Sequence, residues 1–133
     1  MSVSKRQIAF FATCMLFSVP AYGADINGAW STSAEVCDKM FVKKGNSVSI
    51  ASDSDLYGNG FIIEGDKIIG KMATCNVKAR KQDGAVFNLV AACATDIALS
   101  TMQLSFKVDN ENKITRLFPG MPEMETPYFR CPM

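Results

Sequence analysis

The sequence has no histidine among its 133 residues. That removes the Ser-His-Asp and Cys-His pairings of nucleophilic catalysis, the imidazole ligands of metal sites, and the one side chain that naturally titrates near neutral pH. No closely spaced cysteine pair occurs either, so a zinc site would need four thiolates scattered over the whole chain. Charge excess is missing too. With 14 Lys plus Arg against 13 Asp plus Glu, there is no electrostatic reason to expect nucleic acid or an anionic membrane as the main partner. The one long apolar run, Ile8 to Val19, is too short to span a hydrocarbon core of about 30 Å. Acid-base work is left to carboxylates. Glu123 and Glu125 fall in a Pro-rich loop, and Asp53 and Asp55 in a turn, where solvated surface charge is the ordinary role. No enzyme, cofactor or metal is expected.

What is present begins with an export signal. Lys5 and Arg6 precede the apolar run, Pro20 breaks it, and Ala21-Tyr22-Gly23 offers small residues at the two positions a signal peptidase must accommodate. Cleavage after Gly23 leaves residues 24–133 as a single domain of 110 residues, with 12 basic and 13 acidic side chains because the leader holds only Lys5 and Arg6. No membrane anchor is expected after processing. The odd cysteine, Cys14, leaves with the leader, and Cys37, Cys75, Cys93 and Cys131 remain. In the oxidising periplasm or medium, this even set is expected to form two disulfides.

Thr32 and Glu35 have the spacing of a capping box, which predicts a short helix from about Ser33 to Phe41 with Val36, Met40 and Cys37 on one face. Past Lys43-Lys44-Gly45-Asn46, short β-branched and aromatic runs alternate with turn residues. Strands are expected at Ser47–Ala51, Gly60–Glu64, Lys67–Lys71, Thr74–Arg80, Ala85–Ala94, Thr101–Val108, Lys113–Phe118 and Pro127–Cys131. The short turns between them join antiparallel neighbours. The fold class that follows is all-β: a meander of about eight strands, closed into a small barrel to hide its edges.

Alternation assigns the faces. Cys75, Val77 and Ala79 point one way and Asn76, Lys78 and Arg80 the other; Phe87, Leu89, Ala91 and Cys93 share a face, as do Met102, Leu104, Phe106 and Val108. Cys75 and Cys93 thus fall near the register of a cross-strand bridge over the Asp83-Gly84 turn, leaving Cys37 and Cys131 to join the two ends of the fold. Three pairings are formally open, and this nested one is expected.

Several segments invite a functional reading. Asp53 to Glu64 has acids at the first, third and twelfth positions and Gly58 at the sixth, in partial match to a calcium loop. Tyr57 stands where an oxygen ligand belongs, however, so a strand-turn-strand connection is expected. Met121 and Met124 offer thioethers of the kind Cu(I) favours, but two are few, and anchoring the loop to the core is the expected role. Lys78, Arg80 and Lys81 read as the wet face of a strand. The stretch Pro119 to Pro127, with Met121, Glu123, Met124 and Glu125, is too irregular for a sheet, and such loops on β scaffolds are where partners are met.

Gly28-x-Trp30 at the start of a small exported β-domain, with Cys37 soon after and Cys131 at the C-terminal edge, resembles the opening of lipocalin-like barrels. It is also similar to the periplasmic inhibitors of secreted metalloproteases, barrels with a disulfide, and the overall pattern looks like that of small exported bacterial β-barrel proteins. Cys75 and Cys93 are additional to the simplest inhibitor pattern, and no binding residue is carried over. The expected function is a non-catalytic, inhibitor-like module that engages another exported protein through its termini and the Met121 loop. The alternative implied by the lipocalin resemblance is a carrier of a small apolar ligand.

Overall fold

The computed structural model describes residues 25–133, and the leader expected over residues 1–23 lies outside the described residues. Its strands are β1 (Gly28–Ser31), β2 (Phe41–Lys44), β3 (Ser47–Ile50), β4 (Gly60–Glu64), β5 (Lys67–Ile69), β6 (Thr74–Asp83), β7 (Val86–Ala94), β8 (Leu99–Asn110), β9 (Lys113–Leu117) and β10 (Thr126–Cys131). Eight of them close into an antiparallel barrel in the order β1-β10-β9-β8-β7-β6-β5-β4. The all-β barrel with a short helix and two disulfides is therefore the fold of this chain.

Two strands correct the expected arrangement. β1 completes the barrel, pairing with both β4 and β10, although Gly28-Ala29-Trp30-Ser31 carries too short an alternation to read as a strand. Conversely, β3 is outside the barrel and forms a separate hairpin with β2. The expected helix is a 3-10 turn, Ala34–Val36, followed by one α turn, α1 (Cys37–Met40). Phe41 begins β2 instead of ending the helix. No capping box forms: Ser33 is the N-cap without a side-chain bond, and Thr32 Oγ1 is engaged with the backbone of Asn59.

Inward residues from all eight strands fill the barrel. Trp30, Ile63, Leu89 and Ile114 are almost wholly buried, packed with Phe87, Leu104, Phe106 and Tyr128. Tight interdigitation of such side chains is what gives a small barrel its stability. A second apolar cluster lies outside the barrel. The insertion between β1 and β4 lays Cys37, Met40 and Phe41 over Ala29, Ile62 and Cys131, with Val36, Val48, Ile50 and Ile69 at its margin. The helix face expected for Val36, Cys37 and Met40 is thus the one used, and it covers the barrel's outer wall.

Both disulfides form in the nested pattern. Cys75 and Cys93 are direct register partners on β6 and β7, with Cα atoms 4.0 Å apart. Cys37–Cys131 spans 94 residues of sequence and pins the insertion to the outer face of β10.

Strand β6 departs from simple alternation. A bulge between Val77 and Ala79 leaves Lys78 unpaired and sets Arg80, instead of Ala79, opposite Leu89. Ala79 is consequently exposed, contrary to the expected inward face, and Arg80 reaches back to the Gly65 carbonyl at 3.3 Å.

The up-and-down order sorts the connections between the two ends of the barrel. At one end lie the tight turns β4–β5, β6–β7 and β8–β9, together with the start of β1 and the end of β10. At the other lie residues 32–59, 70–73, 95–98 and 118–125. We call these the turn end and the loop end.

Candidate interaction surface

Arg130 closes the turn end. Its guanidinium stacks on the Trp30 ring at 4.4 Å from the centroid and donates to three backbone carbonyls, those of Glu111 (2.7 Å), Asp25 (2.8 Å) and Asn27. The Trp30 indole N–H in turn donates to the Ile26 carbonyl at 2.9 Å. Gly28 is required for this assembly. Its φ of 140° is one that L side chains rarely adopt, and a Cβ there would come within 2.7 Å of Arg130 Nη1. The Gly28-x-Trp30 sequence is therefore a packing device: Gly28 admits the guanidinium and Trp30 supplies its platform. A cleft of about 920 Å³ opens above it, lined by Asp25, Gln82, Val108, Asn110, Glu111 and Arg130 among others. With its N–H groups directed at backbone carbonyls and Asp25 and Glu111 alongside, Arg130 serves as a structural stopper.

The acids that partly match a calcium loop are not brought together. Ser54–Leu56 form a 3-10 turn, and Glu64 stands at the far end of β4 from it, about 13 Å of strand from Gly60 at the usual rise per residue. Asp55 instead accepts a hydrogen bond from Lys71, which holds its carboxyl below the ordinary carboxylate range. That contact ties the insertion to the β5–β6 connection. Gly60, the loop's expected eighth position, is where the insertion crosses the barrel closely, since a Cβ there would meet the Trp30 carbonyl at 2.9 Å and Met40 Cε at 2.8 Å. Among the described residues, no group of three or more Cys, Asp or Glu side chains could hold a metal ion.

The loop singled out for partner contact lies at the loop end. Pro122–Met124 form a single 3-10 turn, and Glu123 and Glu125 are exposed. Met121 and Met124 are 47 % and 51 % exposed. The expectation that these thioethers anchor the loop to the core is not met; the loop is braced by local hydrogen bonds, from Met121 N–H to the Phe118 carbonyl (2.9 Å), Met124 N–H to the Met121 carbonyl (3.0 Å) and the Thr126 hydroxyl to the Met124 carbonyl (3.0 Å). Met133 and the start of β1 lie instead at the turn end, sharing a shallow pocket with Gly65. Termini and Met121 loop are thus separated by the length of the barrel and do not form one surface.

Sequence reasoning missed the company this loop keeps. Leu56, Met72, Ile97 and Leu99 are all strongly exposed, up to 96 % for Ile97, and each belongs to the loop end. Single apolar residues in turns attract no notice in a linear reading, and only barrel closure places their connections at one end.

The pairing Cys37–Cys131 and Cys75–Cys93 suits an oxidising compartment. No helix among the described residues is long and apolar enough to cross a membrane. No family model, curated protein or solved structure matches this chain.

Proposed function

We propose that this protein is an exported, non-catalytic binding module, inhibitor-like in character, that meets another exported protein through the loop carrying Met121, Glu123, Met124 and Glu125. The observation that carries this reading is the pairing of a filled barrel with an uncovered loop. Large side chains such as Trp30, Phe87, Leu89 and Phe106 occupy the interior, which supports a protein partner over the carriage of a small apolar ligand. Meanwhile Met121 and Met124 stand half in water on a loop held between two barrel strands. Methionine is well suited to such a surface, because its flexible, polarisable chain adapts to a partner.

Site-specific photo-cross-linking tests this. A photoreactive residue replacing Met121 or Met124 in the exported, disulfide-intact protein is expected to form adducts with a protein of the same compartment, while one replacing exposed Lys107 on the barrel wall forms none. Equal labelling from all three positions overturns the reading, as does native mass spectrometry showing a retained apolar ligand.

A further inference from the structure

Of the ten large apolar side chains exposed to water among the described residues, Met133 lies at the turn end and Val42 on the β2–β3 hairpin of the insertion, while the other eight are on or next to the remaining parts of the loop end. The others occupy all four of its connections and the adjoining start of β8, among them Leu56, Met72, Ile97, Leu99, Met121 and Met124. Lone exposed apolar residues need no explanation, but a concentration of them at one end does. The turn end, by contrast, is built from Gly65, Asp66, Asp83, Gly84, Asn110, Glu111 and Asn112.

On the three shorter connections the charges beside these apolar residues are mostly of one sign: Asp96, Glu123 and Glu125 are exposed and make no ion pair among the described residues. The insertion is mixed, its exposed Glu35, Asp38 and Asp53 being matched by Lys39, Lys43 and Lys44. The one lysine on the two shortest connections, Lys71, is neutralised by Asp55. An apolar surface bordered by unpaired carboxylates attracts apolar surface of opposite charge and repels anionic lipid.

From this we infer that the whole loop end, not the Met121 loop alone, is a docking surface for a cationic amphipathic protein segment. This rests on the protein-binding reading above and specifies the chemistry of the partner. Apolar side chains of that segment cover Ile97, Leu99 and the methionines, and its lysines or arginines face Asp96, Glu123 and Glu125.

The test uses the disulfide-intact protein and defined probes: a synthetic amphipathic peptide of Leu and Lys, its Leu and Glu counterpart, and phosphatidylglycerol vesicles. The Leu/Lys peptide is expected to bind at least roughly tenfold more tightly than the Leu/Glu peptide, with affinity falling as salt rises. Ile97→Ser with Leu99→Ser is expected to weaken it by a further tenfold or so, because two exposed apolar anchors are lost. Both side chains are in water, so the variant keeps the native circular dichroism and melting temperature, while Gln82→Ala at the turn end leaves binding unchanged. Absence of Leu/Lys binding, equal binding of both peptides, indifference to the paired substitution, or preferential binding of the vesicles each overturns the inference. So does a dimer that the same pair of substitutions dissociates, which would assign the surface to a second copy of the chain. Cross-links from Met121 in the absence of Leu/Lys binding leave the protein-binding reading standing and remove only this one.

Discussion

At the scale of single residues, Gly28 and Asp55 make the sharpest predictions. Gly28→Ala adds a methyl group where Arg130 Nη1 stands 2.7 Å away, at a φ that alanine adopts only under strain. The substitution is expected to cost about 1–3 kcal/mol in urea unfolding with both disulfides intact. Arg130→Ala should produce a loss of similar kind by leaving the Trp30 face and three carbonyls without a partner. If Gly28→Ala is neutral, the close packing of guanidinium and backbone is not what the glycine serves. Asp55 makes a prediction in pH. Its folded pKa is lowered, chiefly by the hydrogen bond from Lys71, so its contribution is fully present above the unfolded value of about 3.9 and is lost as pH falls through the folded value. Asp55→Asn is expected to lower stability slightly at neutral pH and to match the unsubstituted protein in acid, below the carboxylate range. The carboxylate is fully exposed, which keeps the effect small. Parallel melting curves across pH check the convergence.

At the scale of elements, the barrel and its insertion have separate cores, and each disulfide serves a different one. In the chain-entropy account, closing the 94-residue span of Cys37–Cys131 is worth about 4.7 kcal/mol and the 18-residue span of Cys75–Cys93 about 3 kcal/mol. Replacing Cys37 and Cys131 together by Ser should therefore lower the unfolding midpoint more than the same change at Cys75 and Cys93. It should also raise amide exchange in β2 and β3 before the barrel strands are affected, because the bridge pins the insertion against β10. Uniform acceleration across the barrel would show instead that insertion and barrel unfold as one unit. Much at this scale was legible in the sequence. Gly60–Glu64 has the observed bounds, the other expected strands fall within a few residues, and the short turn places Cys75 and Cys93 on neighbouring strands. Their direct register comes from the bulge at Lys78, since the pairing that starts with Asp83 opposite Val86 would otherwise set Cys75 opposite Ala94. The misses have physical causes. β1 has only four residues and takes its strand conformation from pairing with β4 and β10. Thr32 is drawn from its capping position by a tertiary hydrogen bond to Asn59. The bulge at Lys78 reverses the alternation midway along β6.

For the whole molecule, one interior shared by all eight strands implies cooperative unfolding, since loss of any inward side chain is felt across the barrel. Leu89→Ala is expected to cost about 2–5 kcal/mol in a single transition, whereas Met40→Ala in the outer cluster should loosen the insertion with the barrel transition retained. Separate transitions for β6–β7 and β9–β10 in the Leu89 variant would contradict a common core.

The division between what the chain dictates and what its closure decides follows from the range of the interactions. The sequence by itself determined eight of the ten strand segments, β3 to β10, the faces of β7 and, apart from the exposed Met102 at its rim, those of β8, the placing of Cys75 and Cys93 on neighbouring strands, and the absence of imidazole chemistry, because alternation, short turns and residue identity are local. Only the tertiary structure decided that β1 closes the barrel, that the insertion folds over the outer wall, and that Met121 shares an end with Leu56, Met72 and Ile97 while the termini lie at the other. Those outcomes depend on pairings between residues far apart in the chain, such as Ala29 with Cys131, and no local pattern in the sequence records which distant edges will meet.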